Sequence, residues 1–381
     1  MTELRIGMIG TGFMGEAHSR GYKAVESVFS PDRTPVLQAL CGRDEQKLRR
    51  VASRYGWKNI ETDWHALVSR DDVDLIDISV PNDMHKDIVL EASSNGKDIL
   101  CEKPLARNTV EAQDMLYAAR ANGVRHMVAF CNRRIPAVAF ARQLIDQGVL
   151  GRVFHWRATW RADWAVDASQ PLTWRFNRQR AGSGALGDIA SHLIDLARYL
   201  VGDIDAVMGM TKTFIQSRPL AGDMGKKGTV NVDDAALFLA RFKNGAIGTF
   251  EASRFCSGER EHFGFEINGE EGSIRFDYSD INKLFVWQRM SSSKLEGFKE
   301  ITMDSRDHPY FPWDWGGGHG KTSYSDLFVN QAYALIQGTA KGEQLTPSFE
   351  DGLLCQAVTD CVLRSSEENG RWVLLDEVLR K

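Results

Sequence analysis

Leu4-Arg-Ile-Gly-Met-Ile-Gly10-Thr-Gly12-Phe-Met-Gly15 is the stretch that decides the fold. Residues 4–9 read as a strand, and the GxGxxG spacing that follows opens a helix, the context a dinucleotide-binding turn requires. Each glycine has its own duty: Gly10 permits the tight turn, Gly12 lets backbone approach a pyrophosphate, and Gly15 lets helix pack on strand. Amide groups at the helix start are then aimed at phosphates, which makes Gly10, Thr11, Gly12, Phe13, Met14 and Gly15 candidate cofactor contacts. The competing reading is a tight strand-to-helix turn and nothing more.

Outward from this turn, further short apolar runs at 36–41, 73–80, Asp98–Cys101 and 124–130 alternate with helical periodicity at 44–55, 85–95 and 109–122. Gly56, Gly96 and Gly123 stand just past those helices as stops. The alternation predicts an α/β fold whose residues 1–130 form a Rossmann-type, doubly wound parallel sheet binding NAD(P).

Beyond residue 130 the rhythm changes. A helix over 136–147 leads to an alternating strand in which Phe154, Trp156, Ala158 and Trp160 share a face expected to be buried. A long loop, 161–183, precedes a helix over 184–201 and strands near 204–216, 232–242, 246–255, 262–268, 273–278 and 284–289. Asn244-Gly245 and Asn268-Gly269 are hairpin signals between several of them. Helices at about 322–340 and 350–368 close the chain. Residues 131–381 are therefore expected to form an α+β domain with a large, mostly antiparallel open sheet that binds substrate and carries oligomerisation. Trp315-Gly-Gly-Gly-His319 reads as a flexible stretch bordering a cleft.

Composition bounds the function. At 381 residues two domains are expected, and 43% hydrophobic with 26% charged residues is the balance of a soluble globular protein. The net charge of −4 and the lack of any basic block argue against nucleic acid and anionic membrane as partners. No apolar run reaches the roughly 20 residues of a membrane span, and no secretory h-region precedes the first strand, so a cytoplasmic protein is expected. Six scattered cysteines without CxxC pairs read as reduced core thiols, neither disulfides nor metal ligands. No HExxH or Cys/His cluster supports a zinc site built from Asp188, His192 and His319, so no metal is expected.

The choice of dinucleotide is read at Leu40-Cys41-Gly42-Arg43, where an NAD site would usually carry an acid for the ribose 2′-hydroxyl. Gly42 and Arg43 stand there instead. Arg43 suits a 2′-phosphate, which favours NADP slightly over NAD, against the alternative of a solvated arginine at a strand end.

Two further motifs complete the pattern. Glu102-Lys103-Pro104 follows the strand Asp98–Cys101, and Gly184-Ala-Leu-Gly-Asp188-Ile-Ala-Ser-His192 opens a long helix. Together with Gly10–Gly15 and at this joint spacing, they resemble the glucose-fructose oxidoreductase/inositol dehydrogenase (Gfo/Idh/MocA) family over essentially the whole chain. The resemblance implies a catalytic set of Lys103, Asp188 and His192, with Glu102 beside it. It places Pro81, Asn82 and His85 against the nicotinamide ribose and makes Arg175 a cofactor or substrate contact. It also implies homodimers or homotetramers formed through the open sheet.

The chemistry stands on the residues as well. Oxidising a secondary alcohol by hydride transfer needs a group that takes the hydroxyl proton. Asp188 and His192 at i, i+4 share one helix face, so a histidine that titrates near neutrality can take the proton while the carboxylate orients it. Lys103, at the carboxyl end of a parallel strand, can hold the reacting oxygen. Taken alone, such a pair is more often a surface pair, and such a lysine is usually solvated.

Eight of ten tryptophans lie after residue 150, and Trp156, Trp160, Trp164 and Trp174 crowd together. Trp156 and Trp160 on the alternating strand read as core or interface. Asp163 with Trp164, and Trp174 with Arg175, suit a polyol that offers hydroxyls and C–H faces. Arg133, where the chain leaves the first half, is a further candidate for substrate or phosphate, or a basic hinge. The expected activity is oxidation of a ring secondary alcohol of a neutral sugar, anhydrosugar or inositol to a ketone with NAD(P). The alternative is a non-catalytic dinucleotide-binding regulator or sensor of the same fold, which would have no need to keep Lys103, Asp188 and His192 together.

Overall fold

The computed structural model describes residues 2–289, 296–311 and 322–380. Six strands form one sheet: β1 (Thr2–Ile9), β2 (Arg33–Cys41), β3 (Asn59–Glu61), β4 (Leu75–Ile78), β5 (Asp98–Cys101) and β6 (His126–Val128). Their order is β3-β2-β1-β4-β5-β6 and every pairing is parallel. The chain reverses direction across the sheet between β1 and β4, the switch point at which such sheets open a crevice beyond their carboxyl ends. Apart from Asp77, β4 is wholly apolar and buried, as expected of a strand covered on both faces.

Helices α1 (Phe13–Val28), α2 (Glu45–Tyr55), α3 (Trp64–Val68), α4 (His85–Ser94) and α5 (Thr109–Ala121) link these strands. Local chemistry sets their ends. Asp44, Asp63 and Asn108 accept the backbone amides of Lys47, His65 and Glu111, relieving donors that have no partner inside a helix. Gly56 ends α2 in the left-handed conformation that a side chain would resist. The strand β3 and helix α3 are absent from the sequence reading because runs of three and five residues are too short for periodicity to register.

The second half runs α6 (Pro136–Asp146), β7 (Val153–Ala162), α7 (Arg178–Ala181), α8 (Ser191–Leu200), β8 (Ile204–Lys212), β9 (Ser217–Leu220), β10 (Asp223–Thr229), β11 (Ala235–Phe242) and β12 (Ile247–Ser253). It continues with β13 (Glu261–Gly269), β14 (Gly272–Asp277), β15 (Lys283–Gln288), β16 (Lys299–Thr302), α9 (Asp326–Lys341), α10 (Phe349–Glu367), β17 (Val373–Leu374) and α11 (Asp376–Leu379). Nine of these strands form an open sheet in the order β16-β15-β14-β13-β7-β12-β11-β8-β17, and β9 pairs with β10 alone. Within the large sheet the β7–β12 pairing is parallel and the others are antiparallel.

Several expectations change here. Trp156 and Trp160 are buried, with Trp156 stacked on Phe265, but Phe154 is exposed at the strand's start, where Arg152 lies over its ring. Asn244-Gly245 does turn β11 into β12, whereas Asn268-Gly269 lies inside β13 and the turn falls at Glu270-Glu271. The expected single helix over 184–201 is a π turn, Leu186–Ala190, running into α8. The stretch 315–319 lies outside the described residues.

Two late helices bind the halves together. α9 returns to pack on α1, so closely that a Cβ on Gly21 would sit 2.5 Å from the Phe328 carbonyl oxygen. Leu335 and Ile336 of α9 join Leu4, Ile6 and Met8 of β1 in one apolar core. α10 touches both α5 and β8, and a capping box at Ser348 and Asp351 starts it. All six cysteines are free, five of them buried. Among the described residues no helix is long and apolar enough to cross a membrane.

Candidate active site

At the switch point the carboxyl ends of the parallel strands open into a cleft of about 760 Å³. The glycine turn forms its floor. Gly10 has φ +126°, and a Cβ there would lie 2.2 Å from the Ser79 carbonyl oxygen, so only glycine fits. Gly15 is not on the wall, but a Cβ on it would strike the Gly10 carbonyl at 2.2 Å, which is the helix-on-strand packing role. Nothing lies within 4 Å of a Cβ built on Gly12, and α1 begins there without a side-chain cap. The helix therefore presents unpartnered amides and open space, as a pyrophosphate requires. This cradle and volume fit a dinucleotide.

Thr11, Phe13, Met14, Gly42, Arg43, Pro81 and Asn82 also line this chamber. Arg43 is exposed at the end of β2 and makes no hydrogen bond or ion pair among the described residues. Asn82 donates to the Ala181 carbonyl at 2.9 Å, tying the β4 turn to the second half. His85 lies off the wall. Its ring nitrogens sit 3.0 and 3.1 Å from the carbonyl oxygens of Val80 and Leu105, and burial lowers its pKa against the pull of those carbonyls, so the neutral ring donates its one N–H to one of the two and staples the turn.

A second chamber of about 510 Å³ opens from the first, and Met14, Glu102, Lys103, Arg175 and Asp188 wall both. Lys103 and Asp188 thus stand at the junction. The Lys103 ammonium donates to the Asp188 carbonyl at 2.6 Å and lies 3.5 Å from its Oδ1. Arg254 Nη1 is 3.9 Å from Asp188 Oδ2. Burial opposes ionisation of Asp188, but the charges of Lys103, Arg254 and Arg175 outweigh it and hold the carboxyl below its usual range.

His192 lines the second chamber, and its Nδ1 has no hydrogen-bond partner among the described residues. Asp188 shares its cleft but is bonded to Lys103, so the expectation that the carboxylate orients the imidazole is replaced by packing against Trp160 and Phe130. Burial and the Lys103 charge press the His192 pKa well below its ordinary value, against a weaker pull from Asp188. The imidazole is neutral at neutral pH.

The starting point of this π turn is fixed by Asp233, which accepts the amides of Gly184 (2.6 Å) and Leu186 (2.7 Å). A Cβ on Gly184 would fall 1.7 Å from the Asp233 carbonyl oxygen, which explains the glycine. π turns of this kind recur where a helix must carry functional side chains.

Other expected contacts are distributed unevenly. Trp164 walls the second chamber and Trp174 the first, where Arg175 lies over its ring at 4.6 Å. Asp163 walls neither and accepts the Gly258 amide. Arg133 is turned away altogether: it forms a buried bidentate pair with Asp195 (2.9 and 2.6 Å) and reaches Asp351 at 3.1 Å. Trp160, expected to be packing only, also faces the second chamber beside His192.

Sequence reasoning missed Arg254, Glu261 and Tyr324. Arg254 is fully buried, with Nε and Nη1 lacking a hydrogen-bond partner among the described residues, and lies under the Trp164 ring at 5.1 Å. Desolvation and the Asp188 charge raise the Glu261 pKa. A single arginine after β12 and a glutamate opening β13 carry no periodic signal that could have marked them. Among the described residues no cluster of His, Cys, Asp or Glu has the makings of a metal site.

Comparison with known proteins follows this geometry. Residues 4–130 match the family model described as an oxidoreductase family with an NAD-binding Rossmann fold, and residues 138–275 match the GFO/IDH/MocA C-terminal domain. Levoglucosan dehydrogenase of Pseudarthrobacter phenanthrenivorans is 38% identical over 99% of this chain and 100% of its own length. A solved levoglucosan dehydrogenase in complex with NADH and levoglucosan superposes with a TM-score of 0.93 at 38% identity, covering 98% of this chain and 100% of that one. An oxidoreductase domain protein from Kribbella flavida superposes equally well, at 42% identity over 98% of this chain and 100% of that one.

Proposed function

Because the chain belongs to the GFO/IDH/MocA oxidoreductase family, we propose that it transfers hydride between a ring secondary alcohol of a neutral sugar, anhydrosugar or inositol and NAD(P), yielding a keto-sugar. The observation that carries this reading is the meeting of Lys103 and Asp188 at the junction of two chambers, with His192 on the wall of the second. The bound nicotinamide supplies the hydride acceptor for oxidation and the donor for reduction.

The protein supplies the rest. His192, neutral and with its Nδ1 unbonded among the described residues, takes the hydroxyl proton of the substrate. The Lys103 ammonium, anchored on Asp188, binds the oxygen on which negative charge develops. Around the junction Lys103, Arg175 and Arg254 balance Glu102, Asp188 and Glu261, so the chamber has no surplus of positive charge for a phosphorylated sugar. Trp160 and Trp164 offer ring faces to the C–H side of a pyranose. The levoglucosan dehydrogenase relative supports an anhydrosugar as the first substrate to try.

Arg43 supports use of NADP as well as NAD, since a free guanidinium at the end of β2 fits a 2′-phosphate. The outer face of the large sheet, with Met210, Leu237, Leu239 and Ile247 exposed, supports a homodimer or homotetramer. Six unpaired thiols suit a cytoplasmic enzyme. The deciding experiment follows reduced cofactor by absorbance with levoglucosan, inositols, glucose and glucosides, each with NAD and NADP. Turnover of at least one sugar is expected. Dinucleotide binding without turnover of any would favour a sensor.

A further inference from the structure

Behind the junction lies a buried polar cluster that the reaction does not use. Asp77, the one charged residue of β4, is fully buried. Its carboxylate meets His18 Nδ1 from α1 at 2.9 and 3.1 Å and accepts the hydroxyls of Tyr22 (2.8 Å) and Ser79 (3.0 Å). On the far side of the ring, His18 Nε2 stands 3.1 Å from Glu102 Oε1 and 3.3 Å from the Gln331 amide of α9, whose Phe328 packs on the imidazole. Glu102 Oε2 in turn accepts the Lys103 backbone amide at 3.1 Å.

A neutral imidazole has one N–H and can serve one carboxylate, whereas both nitrogens of His18 face one. The groups around the ring are Asp77, Tyr22 and Ser79 on one side and Glu102 with Gln331 on the other, and Tyr22 stays a neutral phenol because burial and Asp77 raise its pKa. Burial works against a charged ring, but the two carboxylates prevail and lift the His18 pKa to about 10.

We propose that His18 is a positioning residue for the Lys103 turn: its ring, clamped between Asp77 and Glu102, keeps Glu102 aimed at the Lys103 amide. Its loss leaves two buried carboxylates without a cation. Glu102, on the wall of both chambers, then has nothing to hold its carboxylate in line and releases the turn.

The turnover arm of the test rests on the dehydrogenase reading; the binding arm does not. NADH affinity of the full chain is measured by fluorescence across the neutral range for the wild type, His18→Gln and His18→Gln with Glu102→Gln. The wild type should be flat. The single variant should bind NADH about threefold or more weakly than the wild type, and Glu102→Gln in the same background should weaken it little further, because the two residues act through one contact. With an accepted sugar, kcat of His18→Gln should fall about tenfold or more while KM for the sugar stays within about twofold. A His18→Gln protein that binds NADH as tightly as the wild type overturns the proposal. If that variant does not fold, Asp77→Asn removes one of the two clamping carboxylates, and its NADH binding should weaken at lower pH than in the wild type. Superimposable profiles overturn the proposal. Failure of every sugar to react sinks the dehydrogenase reading alone, and the NADH profiles still decide this one.

Discussion

His192 stacks on Trp160 with ring centroids 5.3 Å apart and planes 25° apart, and the buried His192 Nδ1 and Trp160 Nε1 both lack hydrogen-bond partners among the described residues. Packing, with Phe130 edge-on at 6.0 Å, therefore fixes the imidazole in the cleft and leaves its nitrogens to the substrate. His192→Asn should lower kcat for sugar oxidation about 10²- to 10⁴-fold, the usual worth of a positioned general base, with NADH affinity nearly unchanged. Steady-state kinetics together with fluorescence titration checks this. Near-normal kcat would move the role of base to another group.

The pH dependence follows with a definite sign. Oxidation needs neutral His192, so kcat/KM falls as pH drops through its pKa, and burial with the Lys103 charge places that pKa well below 6.5. The plateau should thus extend below the pH at which an ordinary histidine protonates. Lys103→Gln removes a cation, so the residual activity should show its acid limb displaced to higher pH. An unmoved limb would mean that His192 is not the group titrating.

Arg133 is expected to matter for stability and not for catalysis. It is buried with Asp195, whose pKa burial raises against the pull of Arg133. Arg133→Ala strands that carboxylate, and removing one member of a buried pair costs about 3–5 kcal/mol. Urea unfolding should show this loss, while NADH affinity of the folded fraction stays within about twofold.

The contrast between Arg133 and Lys103 shows what sequence can carry. Lys103 belongs to a short motif at the end of a parallel strand, and topology alone delivers that position to the crevice. Arg133 also leaves the first half of the chain toward the cleft, but the direction of its side chain is decided by Asp195 and Asp351, 62 and 218 residues away. The two α/β halves were legible because apolar periodicity is a local signal. The strand β3, the π turn and the cleft roles of Arg254 and Glu261 were not, because they depend on short elements or on partners distant in the chain.

Self-association should run through the outer face of the large sheet. Along β11 the side chains alternate, with Ala236, Phe238 and Ala240 buried and Leu237 and Leu239 exposed, and Met210 and Ile247 extend the apolar face onto neighbouring strands. Leu237→Arg with Ile247→Glu places charges on that face without touching the cleft. Light scattering after size exclusion should give an oligomer for the wild type and a monomer for the double variant. An unchanged mass would locate the contact elsewhere.

Selection between the two dinucleotides turns on Arg43. It stands at the end of β2 where an acidic residue would hold a ribose 2′-hydroxyl, it lines the nucleotide chamber, and no group among the described residues pairs with it. A charge-assisted contact to a 2′-phosphate is worth about 1.5–3 kcal/mol, or roughly 10- to 100-fold in binding. Arg43→Ala should therefore raise KM for NADP by about that factor, because the phosphate loses its cation, and leave KM for NAD within about twofold, because a 2′-hydroxyl never needed it. The ratio of kcat/KM values for the two dinucleotides, measured on one accepted sugar, is the readout. Equal losses with both would make Arg43 a general adenosine contact, and no loss with either would make it a solvated arginine at a strand end.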